Sequence, residues 1–276
     1  MTRAIAVLGN SGVGKTFFST HLAMALGYFG EKTLLIGCDQ KRDTSRAVTG
    51  TSSLSLIEAL EQVGFDYDRL DLAEVIVPVN EYVDVMEVGP SPLLVGDYAG
   101  VLEEALQVFQ KFGIPASYQR MVFDVNDERF DGSHAPLYSY ATAAIGLTDD
   151  RVESLFVLNR LLRAVLIGSY EMSLPMRVIG GVNNRSLNPQ PFEQFAQQTK
   201  CIPLVNIPES TDLSCLRRQS KTLFALSKRT GVQEQVVDGM LRVAEMLRQE
   251  PFNLFVLSPM ADEEVWELEP SQQLPI

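Results

Sequence analysis

The amino-acid sequence predicts an α/β fold, a mostly parallel sheet with helices on both faces. Two observations carry this reading. Short apolar runs alternate with amphipathic helical stretches along the chain, as in parallel strands joined by crossover helices. The first apolar run, Ala4 to Leu8, passes directly into Gly9-Asn10-Ser11-Gly12-Val13-Gly14-Lys15-Thr16 and then into a helix-forming stretch from Phe17 to Leu26. That is the strand, loop and helix order that the phosphate-loop pattern G-x-x-x-x-G-K-[ST] requires. With 276 residues the chain can build one such domain with a large core. We read residues 1–250 as a single-domain phosphate-loop NTPase fold and 251–276 as a C-terminal arm.

The remaining elements follow in order. Thr33 to Gly37 is a second strand, Val83 to Val88 a third, Arg120 to Phe123 a fourth and Ala143 to Leu147 a fifth; Arg177 to Val182 and Leu204 to Ile207 supply two more. Helical stretches run from Ser55 to Val63, Gly100 to Phe112, Arg151 to Ser169, Pro191 to Thr199 and Gln233 to Arg248. Ligands of such sheets bind at the carboxyl ends of the strands, where the phosphate loop lies. Past Glu250 the character changes: Phe252 to Leu257 is mostly apolar and Ala261 to Glu269 is acidic. The tail reads as an extended segment laid on the body or on a partner, followed by a loose end.

Composition narrows the function classes. A formal net charge of −12 disfavours non-specific nucleic-acid binding, which needs Lys and Arg against phosphates. No polybasic segment suits anionic lipid, no apolar run reaches membrane-spanning length, and no signal-peptide pattern precedes the first strand. The expectations are no nucleic acid, no direct membrane insertion and a cytoplasmic location. Cys38, Cys201 and Cys215 are three in number and lack metal-ligand spacing, so they read as buried free thiols.

Three stretches carry chemistry. In the first, backbone N–H groups of Gly9 to Thr16 converge on phosphate oxygens, Lys15 meets the β- and γ-phosphates, and the Thr16 hydroxyl sits on Mg²⁺. In the second, Gly37-Cys38-Asp39-Gln40-Lys41-Arg42-Asp43 places two carboxylates four residues apart at a strand end. One can order a metal-bound water and the other can position the attacking water, which makes Asp39 and Asp43 catalytic candidates beside Lys15. The alternative is a polar loop in which Asp43 caps the next helix. In the third, Phe123-Asp124-Val125-Asn126-Asp127-Glu128 ends a strand in an acid, so Asp124 joins Thr16 and Asp39 as a candidate on the Mg²⁺ side.

Together these residues resemble the nitrogenase iron protein family, which includes the ATP-binding reductase subunits of dark chlorophyll and bacteriochlorophyll synthesis. The loop is similar to the family's G-K-G-G-[IV]-G-K-[ST], and Gly37 to Asp43 to its G-C-D-P-K-x-D. The resemblance adds Lys41 to the nucleotide site. Gly180-Gly181-Val182-Asn183-Asn184-Arg185 looks like the family's adenine-side segment, so Asn183 is expected at the base edge. Ile207-Pro208-Glu209 looks like the segment closing over the base, which implicates Pro208 and Glu209. ATP or ADP with Mg²⁺, and a homodimer, are what the resemblance implies.

The departures set the functional expectation. The family shares one [4Fe–4S] cluster between two subunits, each giving two cysteines. The segment of the first cysteine reads Gly89-Pro90-Ser91-Pro92-Leu93-Leu94-Val95-Gly96 here, and Gly96 stands at the cysteine position. In the second segment Asp131 stands there. Four thiolate-class ligands are needed, so no [4Fe–4S] cluster is expected. Asn10 replaces the family's second loop lysine and brings no charge, so phosphoryl transfer should slow. The leading expectation is an ATP-binding switch that docks a protein partner near Leu93–Tyr98 and Phe130–Tyr140, in assembly, maturation or regulation. Alternatives are a slow ATPase or metal-insertion chaperone, with His134 beside Asp131 as a weak metal site, and a nucleotide-binding pseudoenzyme subunit. His21 is read as packing.

Overall fold

The structure is a computed structural model. It describes residues 3–39, 41–90, 98–125, 135–173, 175–249 and 257–268. In chain order the strands are β1 (Arg3–Gly9), β2 (Thr33–Cys38), β3 (Val77–Pro78), β4 (Val83–Glu87), β5 (Arg120–Val125), β6 (Ala143–Thr148), β7 (Arg177–Ser186) and β8 (Pro203–Pro208). The helices between and after them are α1 (Lys15–Tyr28), α2 (Asp43–Thr49), α3 (Leu56–Gln62), α4 (Tyr98–Lys111), α5 (Ile114–Ser117), α6 (Ala135–Tyr140), α7 (Val152–Glu171), α8 (Gln190–Thr199), α9 (Thr211–Arg218), α10 (Gly231–Arg248) and α11 (Asp262–Trp266).

Among the described residues the strands form one sheet in the order β3-β4-β2-β5-β1-β6-β7-β8. Every pairing is parallel except that of the short β3 with β4. β2, β5 and β6 are buried along their whole lengths. This is why they read as continuous apolar runs, since helices cover both faces of a parallel sheet. Alternation along β1 divides the core. Ala4, Ala6 and Leu8 join Ile36, Phe123, Phe109 and Leu155 on the α4 and α7 side. Ile5 and Val7 join Phe18, Leu22, Met240 and Val243 on the α1 and α10 side.

The expected strands and long helices are present, with ends shifted by a few residues. The shorter α2, α5, α6 and α9 and the antiparallel β3 are additions. Two details bear on the site. β1 and β2 flank β5 in register, with Val7 and Gly37 both opposite Asp124. The carboxyl ends of three strands thus meet at one carboxylate.

The acidic tail corrects the expectation of an extended segment: it folds as α11. Three acids in its first turn suit a helix N-terminus, and the Glu264 carboxylate accepts the Ala261 N–H at 2.8 Å. The tail lies on the body. Asn159 of α7 donates to Met260 O at 2.9 Å and accepts the Met260 N–H at 2.9 Å, and Val265 is fully buried. No helix among the described residues is long and apolar enough to cross a membrane.

Candidate nucleotide site

The loop between β1 and α1 is built to receive an anion. Gly9 closes β1 at φ +154°, and a Cβ there would stand 2.4 Å from Leu147 O, so only glycine lets the loop lie against β6. Gly14 caps α1 in the left-handed region at φ 94°, with no side-chain cap and no acid in the first turn. The N-terminus of α1 faces the loop, and the helix dipole there favours a negative ligand.

Lys15 is buried and folds back over its own loop, donating from Nζ to Gly9 O at 2.9 Å and to Asn10 O at 2.8 Å. Asn10 is turned into the protein. Its Oδ1 accepts the Ser11 N–H at 2.8 Å and its Nδ2 donates to Ser154 Oγ of α7 at 3.4 Å.

A cavity of about 470 Å³ opens above this loop. Ser11, Gly12, Gly14, Lys15 and Thr16 form its floor, Asp39, Lys41 and Asp43 one wall, and Asp124 its inner end. Asp124 gathers hydroxyls: Thr44 Oγ1 donates to Oδ2 at 2.8 Å, Ser19 Oγ to Oδ1 at 3.2 Å, and Thr16 bonds it as well. Burial pushes its carboxyl up to about 6 despite those donors. Asp39 accepts the Lys41 N–H at 3.0 Å, which tightens the turn leading to Asp43. Asp43 is the first residue of α2 rather than a cap before it. Burial, and then the Asp39 charge, raise its carboxyl. Its Oδ1 is buried with no hydrogen-bond partner among the described residues.

These carboxylates and hydroxyls are the groups that a Mg²⁺-phosphate unit complements, since Mg²⁺ keeps waters and phosphate oxygens and takes few protein ligands. No group of three His, Cys, Asp or Glu side chains among the described residues forms a self-contained metal site.

A second, smaller groove lies beyond Phe17 and is lined by Asn184, Arg185, Pro208 and Glu209. Arg185 Nε donates to Glu209 Oε2 at 2.9 Å, and Glu209 N–H to Ser186 O at 3.0 Å. Pro208 and Glu209 line this groove. Asn183 does not. It is fully buried and donates to Asp150 Oδ1 at 2.9 Å. Its neighbour Asn184 lines the groove and donates to Val13 O at 2.6 Å. Successive side chains on a strand point to opposite faces, so one position decides which asparagine reaches the loop. Asn183 keeps a buried Oδ1 with no hydrogen-bond partner among the described residues.

The structure adds residues that the motifs did not indicate. Arg46, Ser220 and Lys221 line the main cavity. His21 lines it too and links elements: its Nδ1–H donates to Phe17 O at 2.7 Å and its Nε2 accepts the Leu223 N–H at 3.0 Å. Glu87 is buried at the end of β4. The signal for Glu87 was a carboxylate following the apolar pair Val85-Met86 at the strand end.

The family description "4Fe-4S iron sulfur cluster binding proteins, NifH/frxC family" matches residues 3–274. The chain belongs to the NifH/frxC family. Its relatives include the light-independent protochlorophyllide reductase iron-sulfur ATP-binding protein of Chlorobium phaeovibrioides, 32% identical over 274 residues, covering 97% of this chain and 98% of that protein. The Chlorobium luteolum protein of the same name is 31% identical with the same coverage. Among solved structures, the septum site-determining protein MinD of Pyrococcus horikoshii, complexed with Mg-ADP, superposes with a TM-score of 0.67 at 16% identity, covering 90% of this chain and 97% of that one. MinD of Aquifex aeolicus gives 0.66 at 17%, covering 91% and 100%. These two likenesses establish the fold: a phosphate-loop ATPase architecture, as the sequence predicted.

The NifH/frxC name raises the question of the cluster. Gly96, Asp131 and His134 lie outside the described residues, as does most of the expected docking rim. Of its described members, Ala135 and Ser139 are exposed, while others pack inward. Tyr98 donates its hydroxyl to Cys38 O at 2.5 Å, Leu137 is fully buried, and Tyr140 packs on Phe123 with ring centroids 5.9 Å apart. The chain's three thiols stand apart. Cys38 is buried at the end of β2, where burial and the carboxylates of Asp124, Glu87 and Asp39 push its thiol well up. Cys201 is buried ahead of β8, its thiol pushed up to about 12 by burial. Cys215 corrects the expectation of burial: it lies on the outer side of the short surface helix α9 and is exposed.

Proposed function

We propose that this chain is an ATP-binding homodimeric switch of the NifH/frxC family that works without an iron–sulfur cluster, in protein-complex assembly, maturation or regulation rather than electron transfer. The observation that carries this reading is a contrast. One pole of the sheet keeps the loop, the lysine, the Thr16 hydroxyl and the three carboxylates Asp39, Asp43 and Asp124 around one cavity. The thiol set does not fit a shared four-iron cluster, which needs thiolate-class ligands converging on one point. Two of the three thiols are buried on different strand ends with their protonated forms favoured, and the third sits on a separate helix. No step of the proposed function runs through a cluster.

In this reading Lys15 leaves the Gly9 and Asn10 carbonyls for the β- and γ-phosphates. Thr16 and Asp124 hold Mg²⁺ directly or through water, with Asp39 beside them. Asp43 faces the third phosphate, Lys41 adds charge, and Asn184, Pro208 and Glu209 border the base. Asn10, already bonded to Ser11 and Ser154, supplies no cation, so turnover is slow beside binding. The γ-phosphate then acts by holding the Asp39–Asp43 turn, as in other nucleotide switches. Small-angle scattering of the full chain in MgADP and in a non-hydrolysable MgATP analogue tests this. Two distinct profiles of a dimer are expected; identical profiles would refute the switch.

A further inference from the structure

Helix α2 carries Asp43 on its first turn, yet its own start does not cap it. The N-cap residue Arg42 lies at φ 51° and offers no side-chain acceptor. The acceptor comes from another strand: Ser45 N–H donates to Glu87 Oε1 at 2.5 Å. Glu87 is fully buried, and its Oε2 has no hydrogen-bond partner among the described residues.

The surroundings are fitted to this carboxyl. A Cβ at Gly37 would stand 1.9 Å from Glu87 Oε2 and 2.8 Å from Thr44 Cβ, so bare backbone on β2 makes the room. The strand end is pinned from both sides, by Val88 N–H to Gly37 O at 2.9 Å and Ile57 N–H to Val88 O at 3.2 Å. A buried carboxyl beside other carboxylates is costly. A local Ser, Asn or Asp at the N-cap would satisfy the helix at less expense. What a local cap would not do is tie the position of α2 to β4.

We propose that Glu87 is a positioning residue for Asp43: its carboxyl caps α2 from β4 and sets where the Asp39–Asp43 turn stands against the third phosphate of a bound nucleotide. This deepens, and rests on, the nucleotide-switch reading. The bond acts on the helix that meets the third phosphate and leaves the loop around the first two untouched. Its loss therefore appears in the preference for a triphosphate over a diphosphate.

The test is calorimetric titration of the full chain with MgADP and with a non-hydrolysable MgATP analogue, in the parent, Glu87→Gln and Glu87→Ala. Gln keeps an acceptor for Ser45 N–H; Ala removes it. MgADP affinity is expected to stay within about twofold in all three. The analogue-over-ADP preference is expected to fall about tenfold in Glu87→Ala, the worth of one charge-assisted bond, and to return to within about threefold in Glu87→Gln. If Glu87→Ala does not fold, Glu87→Asp withdraws the acceptor by one methylene and the same fall is expected. An unchanged preference in the Ala or Asp variant, with MgADP still bound, overturns the cap. So does equal loss in Gln and Ala. Failure of the parent chain to bind MgADP overturns the nucleotide reading as well.

Discussion

The buried carboxylates beneath the candidate phosphate site give the nucleotide-free protein an unusual pH response. Burial, more than any other cause, raises Glu87 from 4.5 to about 7 and Asp124 from 3.8 to about 6. Each binds its proton more tightly folded than unfolded, so the folded chain carries more protons across this window. Their contribution to stability is complete below the unfolded value. It is lost as pH rises through the folded value. For Glu87 alone a shift from 4.5 to about 7 amounts to about 3 kcal/mol over the full window. About 2 kcal/mol of that falls between about pH 5.5 and about pH 8, clear of the sequence pI near 4.7. Glu87→Gln removes the proton-linked part and keeps the acceptor for Ser45 N–H. Chemical denaturation followed by far-ultraviolet circular dichroism at both pH values, in parent and variant, isolates it. The parent is expected to lose about 2 kcal/mol more than Glu87→Gln on going from the acid to the alkaline condition, about 5 °C in melting temperature. Saturating MgADP should shrink the difference, because a bound cation favours the ionised carboxylates. Equal pH dependence in parent and variant would refute the reasoning.

Other expectations follow from single contacts. Lys15→Ala should lower MgADP affinity by about a hundredfold or more while leaving the melting temperature within a few degrees, as calorimetry and thermal melts would show. Asn184→Ala frees Val13 O, bonded at 2.6 Å, and should cost about 1–2 kcal/mol and weaken nucleotide binding. Asn183→Ala should cost stability through Asp150 while changing nucleotide affinity less. Asn159→Ala removes both bonds to Met260 and should cost about 2 kcal/mol, with faster hydrogen exchange at 257–268 as the marker.

Much of this was legible in the residues. Strands buried on both faces announce themselves as apolar runs, and long amphipathic helices show their period. The phosphate loop was legible because its glycines, lysine and threonine are required at fixed places between a strand and a helix. Short helices were not. α2, α5, α6 and α9 have between four and eight residues, too few turns to set a period. Which of Asn183 and Asn184 lines the groove was hidden for another reason. Facing on a strand alternates with every residue, and the β7–β8 register shifts on either side of this pair, so parity could not be counted in from the strand start. Glu87 passed as part of an apolar strand, although its neighbours Val85, Met86 and Val88 made a charge there conspicuous. The helical tail shows the limit of composition: an acidic run reads as a solvated segment until Asn159 and Arg163 are seen to anchor it at Met260.

Nucleotide binding without a four-iron cluster is the property on which the proposed function turns. Anaerobic purification, with iron and acid-labile sulfide assays beside a MgATP-analogue titration on the same sample, tests both halves at once. One nucleotide bound per chain and iron far below four atoms per pair of chains are expected. A brown preparation with four irons and four sulfides per pair, or one that binds no nucleotide, would contradict the proposal.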